Sequence, residues 1–327
     1  MAATLKDVAQ LARVSVKSVS NVVNGYPHVS HDLRRRVHDA IERLGYRPNL
    51  AARHLRTGRT GLLALVVPDA PCLDELARQI LHTVAARGYR TVVDHAEQAP
   101  ARPGARLPVD GVLVAADVVP PELIETHLAA RTPLVLLGEQ RDERCDHVGI
   151  DAARAARDAT EHLLETGRRR IAVIGTRPAA SSTAPQPRTL GYQQALRRAG
   201  ISVPDGYLRT TRHHRHPDGY QAARALFAHE HPPDAIFCFS DPLAVGAIRA
   251  AVDVGLRVPG DVAVIGMGDS SEGSFCRPTL STVSADPAAL ARRAVARLTS
   301  RILRPDAAPV QVVAPHTLQA RGSTAAG

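Results

Sequence analysis

The residues best suited to chemistry lie in one short stretch, VSVKSVSNVVNG, Val14 to Gly25. On a helix turning about 100° per residue, with Val16 at zero, Val22, Val19 and Val23 fall at about 240°, 300° and 340°. Ser20, Asn24, Lys17 and Asn21 fall at about 40°, 80°, 100° and 140°. One face is apolar and can seat on a core. The other is short, hydrogen-bonding and cationic, with no acid to repel a phosphate. Lys17 can donate to guanine O6/N7 or to a phosphate, Asn21 can pair bidentately with adenine N6/N7, and Val16 can meet a thymine methyl. An ordinary solvated face mixes Glu with Lys, and this one does not.

Other chemistries find less support. Arg212, His213, His214, Arg215 and His216 hold three histidines, but neighbours in a strand or loop point apart and no acid or Cys completes a ligand set, so no metal is expected. Cys72, Cys145, Cys238 and Cys276 are widely spaced and read as inert thiols. There is no GxSxG elbow, no GxxxxGK[ST] loop and no GxGxxG after the first strand, so the chain does not read as an enzyme, and no cofactor is expected.

The flanking elements must position the reading face. Thr4 and Asp7 form a capping box opening a helix that carries Leu5, Val8, Ala9 and Ala12 on one side. Ser15 can cap a second helix running to about Asn24, where Asn24, Gly25 and Pro27 give a stop. Ser30 can cap a third helix with Leu33, Val37, Ile41 and Leu44 recurring every three or four residues, ended by Gly45. Three short helices with a tight turn between the first two make a helix-turn-helix. Charge agrees: residues 1–60 carry 11 Lys/Arg and 4 Asp/Glu, so +7, while the other 267 residues hold only +2 of the total +9. A basic module on a near-neutral body expects a polyanion at that module.

From residue 62 the pattern changes. LLALVV, YRTVVD, GVLVAA, PLVLLG, IAVIG, AIFCFS and VAVIG are apolar runs that alternate with helical stretches, the signature of parallel sheets covered on both faces. No apolar run reaches the roughly 20 residues of a membrane span, and the N-terminus lacks a signal-peptide core, so a cytoplasmic protein is expected.

The segment TLKDVAQLARVSVKSVSNVVNGYPHVSHDLRRRVHDAIERLGYRPNLAARHL resembles the DNA-binding part of the lactose-repressor (LacI/GalR) family, through DVA, the VS before the second helix, VSxVVN, HVS and LGYRPN. Later, VDGVLV, EHLLETGRRRIAVIG, PDAIFCFSDPLAVGAIRA, GLRVPGDVAVIG and LQARGST resemble the family's effector domain. The resemblance implies a small all-α helix-turn-helix domain at 1–47, a hinge at 48–60, and a two-lobed α/β domain at 61–327 like periplasmic binding proteins. Lobe 1 would take about 61–160 and 284–320, and lobe 2 about 161–283 and 321–327. It implies base reading by Val16, Lys17 and Asn21, and further DNA contacts from Thr4, Leu5, Ser15, Ser20, Asn24, His28, Ser30 and Tyr46. In the hinge, Leu55 would wedge a base step in the minor groove, beside Asn49, Arg53 and Arg56. Arg13 stands where many members have glycine, so strain is expected there.

For the interlobe cleft the resemblance implies Asp69, Asp151, Arg188, Ser240, Asp241, Asp269 and Phe275 around an effector. Departures accompany this: the chain has no Trp, Ala285 replaces a common polar residue, and AEQAPARPGARLPVD, with three prolines, stands where most members place a helix near the subunit interface. The expected partners are palindromic operator DNA, a second copy of the chain, and a sugar or other small polar or anionic effector. The competing expectation is a regulator without a working small-molecule site, controlled by a protein partner or by its expression level.

Overall fold

The computed structural model describes residues 3–23, 26, 28–46, 59–67, 75–95, 108–116, 119–177 and 186–325. Asn24, Asn49, Arg53, Leu55, Arg56, Asp69, residues 48–58 of the hinge and the proline-rich stretch 96–107 lie outside the described residues. The chain divides into two units: residues up to Gly61 with Pro108–Asp110, and the remainder from Leu62.

The first unit holds α1 (Leu5–Ala12), α2 (Val16–Val23) and α3 (His31–Leu44). Its core is small: Val8, Ala9, Ala12, Val19, Val22, Val37, Ala40 and Tyr46. Ala9 and Ala12 have no bulk, so the helices can approach closely. Gly45 ends α3 in the left-handed conformation at φ 58°, where glycine carries no Cβ penalty.

The second unit is built from β1 (Leu62–Val67), α4 (Glu75–Ala86), β2 (Arg90–His95), β3 (Gly111–Ala115), α5 (Pro121–Ala129), β4 (Leu134–Leu137) and β5 (Asp146–Ile150). It continues with α6 (Ala152–Glu165), β6 (Ile171–Thr176), α7 (Pro187–Arg198), β7 (Leu208–Thr210), α8 (His216–Phe227), β8 (Ala235–Cys238) and α9 (Asp241–Asp253). Last come β9 (Ala263–Met267), α10 (Ser271–Phe275), β10 (Ser281–Ser284), α11 (Pro287–Leu303), β11 (Gln311–Ala314) and β12 (Thr317–Gln319).

Two six-stranded sheets result, ordered β11-β5-β4-β3-β1-β2 and β12-β10-β9-β8-β6-β7. The first is wholly parallel; in the second only β12 runs antiparallel, against β10. β6 and β9 are buried along their whole length, as strands covered by helices on both faces must be. Lobe 1 packs α4 and α11 on its sheet through Ile80, Val84, Val295 and Leu298. Lobe 2 packs α6 and α7 on one face and α8 and α9 on the other. A β-carbon at Gly191 in α7 would fall 2.0 Å from the Ala153 carbonyl oxygen, so only glycine lets α6 and α7 meet this closely.

The lobe boundaries differ from expectation. α6 packs into lobe 2 through Ala155, Ala156, Ala159 and Leu163, so the first crossing falls after Ile150 rather than near 160. β12 joins the second sheet, so the last crossing lies at 315–316 rather than 320. A connecting helix of small residues fits either sheet, and its sequence does not say which one it covers. Cys145 and Cys238 are buried, and burial pushes the Cys145 thiol up to about 11.

One buried charge pins lobe 1. Asp146 is essentially inaccessible, with Arg297 Nε 3.0 Å from Oδ1 and Arg301 Nε 2.8 Å from Oδ2. The Val310 N–H also donates to it at 2.8 Å, tying β5 to α11 and to the start of β11. Burial pushes this carboxyl up, but the Arg301 bond, the Val310 N–H and the Arg297 charge outweigh it, and the net shift is downward. A depressed folded value means stability present above the unfolded pKa of about 4 and lost as pH falls below it. Asp146→Asn should therefore cost on the order of 3 kcal/mol at neutral pH, because two arginines lose their counter-charge. Denaturant melts of wild type and variant should converge as the pH is lowered from 7 to 3; a constant gap would contradict this.

Candidate functional site

α1 opens as its sequence requires. Thr4 Oγ1 accepts from the Asp7 N–H at 3.4 Å, and Asp7 Oδ2 accepts from the Thr4 N–H at 2.8 Å. The Thr4 hydroxyl and N–H hold the Asp7 carboxyl below the usual carboxylate range. The turn into α2 runs through Arg13 in the left-handed region, φ 53° and ψ 51°, as expected for a residue at a glycine position. Arg36 of α3 donates to the carbonyls of Ala12 at 2.6 Å and Arg13 at 3.2 Å, clamping this turn. Nothing in the linear pattern marks Arg36, which reads there as one more surface arginine.

α2 presents two faces. Val19 and Val22 are buried and Val23 is partly so, while Val16 is 44% exposed and Lys17 is exposed. Ser20 and Asn21 are half-buried at the border between the faces. The Ser15 hydroxyl accepts from the Ser18 N–H at 3.0 Å, and the Ser30 hydroxyl from the Leu33 N–H at 3.3 Å, so both serines start helices. Thr4, His28 and Ser30 are exposed and Leu5 is partly buried against the core. Tyr46, expected at DNA, is only 7% exposed and belongs to the core of the module. Its ring fills the centre of the module, where the other buried residues are Val and Ala.

Each sheet reverses its order, between β1 and β3 in lobe 1 and between β6 and β8 in lobe 2. Such switch points leave a crevice at the carboxyl ends of the strands. In lobe 2, Arg177 directly follows β6, Phe239 and Ser240 follow β8, and Arg188 lies in the first turn of α7. Arg188 Nη1 donates to the Phe239 carbonyl at 2.5 Å, and its guanidinium carbon sits 6.0 Å from the Phe239 ring centre. From lobe 1, Glu139, two residues past β4, brings Oε1 to 2.5 Å from Arg188 Nε and Oε2 to 3.7 Å from an Arg177 Nη. The Ser240 Oγ is buried beside this cluster in sequence and has no hydrogen-bond partner among the described residues.

The other expected cleft residues are placed differently. Asp151 caps α6 through the Arg154 N–H at 3.0 Å, at the lobe crossing. Asp241 is 1% exposed, and both its oxygens are used internally: the Ser270 N–H donates at 2.6 Å and the Thr282 hydroxyl at 2.7 Å. Burial pushes its carboxyl up, against the pull of those two donors. Asp269, left-handed at φ 56°, pairs with Arg321 at 2.6 Å. Phe275 ends α10 at 88% exposed. The structure thus brings Arg188 together with Glu139 and Arg177, which the sequence reading did not single out, while Ser240 is next in sequence to the Phe239 that Arg188 contacts. Arg177 follows β6 directly, a position that could have marked it, whereas Glu139, two residues past β4, is marked only by its partners in the other lobe.

Residues 4–49 match the family model described as bacterial regulatory proteins, lacI family, and residues 160–324 match the periplasmic binding protein-like domain. The chain is 32% identical to the ribose operon repressor of Escherichia coli K12, covering 98% of this chain and 99% of that protein. It is 31% identical to catabolite control protein A of Priestia megaterium, over 99% of this chain and all of the relative. Among solved structures, the transcriptional regulator CelR–cellobiose complex aligns with a TM-score of 0.70 at 30% identity, over 98% of this chain and 99% of the other. The lac repressor dimer bound to operator and an anti-inducer aligns with 0.80 at 25% identity, over the whole of both chains.

The strained turn gives a direct test. A left-handed non-glycine residue costs roughly 1 kcal/mol or more. Arg13→Gly should raise the opening free energy of α1 and α2 amides by about that much, read by hydrogen exchange in the full chain. No gain would mean that Arg13 sits there without strain.

Proposed function

The chain belongs to the LacI family and is a DNA-binding transcriptional regulator, and from that premise we propose that it represses by binding a palindromic operator as a homodimer. Each copy lays α2 in the major groove of one half-site. The observation that carries this reading is the split of α2, with Val19 and Val22 buried and Lys17 exposed among short polar side chains. Val16, Lys17 and Asn21 read base edges. Thr4, Leu5, Ser15, Ser20, His28 and Ser30 hold the module on the backbone, joined by Asn24, and Leu55 with Asn49, Arg53 and Arg56 takes the minor groove. Ser15 and Ser30 already start helices, so the helix N-termini that they cap face the phosphates with them.

The interlobe cleft is the effector site, with Arg188 and Ser240 as its polar contacts; Asp241 and Asp269 shape it through Ser270, Thr282 and Arg321. A small molecule that prefers one arrangement of the lobes shifts DNA affinity by that preference. Support comes from the relatives: one solved neighbour is a cellobiose complex, and another is a dimer on operator with an anti-inducer. The relatives are regulators rather than enzymes, and no helix among the described residues is long and apolar enough to cross a membrane. Its place of action is the cytoplasm, where the DNA is.

Selection of bound duplexes from a random pool tests the interface. Replacing Lys17 and Asn21 together should change the half-site that is selected, with unfolding shifted by no more than about 0.5 kcal/mol, since these side chains are not in the core. Loss of folding, or an unchanged half-site, would show that this face does not read DNA. Wild-type affinity should fall steeply with salt, as phosphate contacts release counterions.

A further inference from the structure

We infer that the effector is a small anion, carrying a carboxylate or phosphate group, and that Glu139 is the internal group it displaces from Arg188. The inference rests on the reading of the interlobe cleft as the effector site. Glu139 comes from lobe 1, and Arg177 and Arg188 come from lobe 2. The Glu139 side chain is 4% exposed and that of Arg188 11%, so this pair is closed off from water. A desolvated carboxylate is tolerated only against strong counter-charge, and here two arginines supply it.

The geometry is that of a bound anion whose anion belongs to the chain itself. The guanidinium of Arg188 is held on one edge by the Phe239 carbonyl and leans on the Phe239 ring. Its Nε forms an ion pair with a Glu139 carboxylate oxygen 2.5 Å away. A guanidinium fork fixed in this way matches carboxylate and phosphate oxygens. The Ser240 hydroxyl, buried next to that carbonyl in sequence, adds a neutral donor that suits an anionic oxygen.

The aromatic inventory points the same way. The chain has no Trp, six Tyr and four Phe, and each of these residues is among those described. Tyr26 and Tyr46 belong to the first unit. Tyr192, Tyr207, Phe237 and Phe239 are fully buried, and Tyr89, Tyr220 and Phe227 pack against the lobe cores. Phe275 alone is left with an open face. A sugar ring would find at most one surface on which to stack, whereas an anion would find two converging arginines. An external carboxylate or phosphate exchanges like for like: Arg188 stays paired, while the tie to lobe 1 is released.

The test uses the full-length protein in isothermal titrations with inorganic phosphate, acetate and cellobiose. Wild type is compared with Glu139→Gln and with Glu139→Gln/Arg188→Gln, and Glu139→Ala serves as a second variant should the first fold poorly. With the internal competitor gone, Glu139→Gln should bind phosphate or acetate at least tenfold more tightly than wild type, and the double variant should lose that gain. Whichever anion gains more identifies the group. Equal anion affinity in wild type and both Glu139 variants, or a gain confined to cellobiose, would overturn the inference. Repeating the titrations on the complex with selected operator DNA separates the two readings. An anion gain with unchanged DNA affinity leaves the anion site standing and removes effector control. DNA affinity that responds to cellobiose without any anion gain removes the anion site and leaves effector control in place.

Discussion

Both lobes obey one constraint, a parallel sheet whose strand order reverses next to its first strand. Right-handed crossovers then send the helices on either side of the reversal to opposite faces, so the connections at the carboxyl end diverge and leave a crevice. The Arg188 cluster sits at the carboxyl ends of such strands. Arg177 follows β6, Phe239 and Ser240 follow β8, and Glu139 follows β4. An antiparallel arrangement would have sent alternate connections to the far edge, and the three charges could not meet.

The same constraint decides how polar groups inside must be handled. Parallel strands buried on both faces leave no water for a side chain that points inward, so each such group is partnered or costly. Asp146 has two arginines and a backbone N–H, and Asp241 has a backbone N–H and a hydroxyl. The closing residues of the chain serve the same need: the Ser323 hydroxyl accepts from the Ser281 N–H at 2.8 Å and donates to the Val264 carbonyl at 2.5 Å. Thr324 meets the Ser281 hydroxyl at 2.7 Å and His162 at 2.8 Å. The LQARGST segment is therefore a staple across β9 and β10.

What could be read in the sequence was whatever depends on neighbours along the chain. The Thr4 box, the Ser30 cap, the valine face of α2 and the left-handed turn at Arg13 are all local, and the structure shows each of them. The apolar strands were legible for the same reason. β10, STVS, was not: its residues look like a loop, and it is fully buried because Asp241, Ser323 and Thr324 satisfy its hydroxyls and amides. The family resemblance implies Asp241 and Asp269 as ligand acids, and a sequence does not show the partners that Ser270, Thr282 and Arg321 give them. The resemblance implies Tyr46 as a DNA contact, and the sequence does not show that its ring also fills the core of the small module. Glu139 needed knowledge of both lobes at once.

The crossings between lobes bear on how the proposed switch at Glu139 and Arg188 would act. Each lies next to a local anchor: Asp151 caps α6, Asp286 caps α11 through the Ala288 N–H at 2.9 Å, and His316 pairs with Asp158 at 2.8 Å. The elements beyond each crossing are thus fixed to their own lobe, and any adjustment concentrates in a few residues between rigid bodies. A ligand can move such an equilibrium only by its difference in affinity for the two arrangements. Shifting it from 1:99 to 99:1 takes about 10⁴-fold in that difference. A buried ion pair suits this task because its net contribution is a small remainder between attraction and desolvation. A group that takes over one partner removes the attraction between lobes while sparing Arg188 an unpaired charge. If an anion displaces Glu139 as inferred, the equilibrium turns on the identity of the anion at Arg188, and the lobes need no other change in their cores to respond.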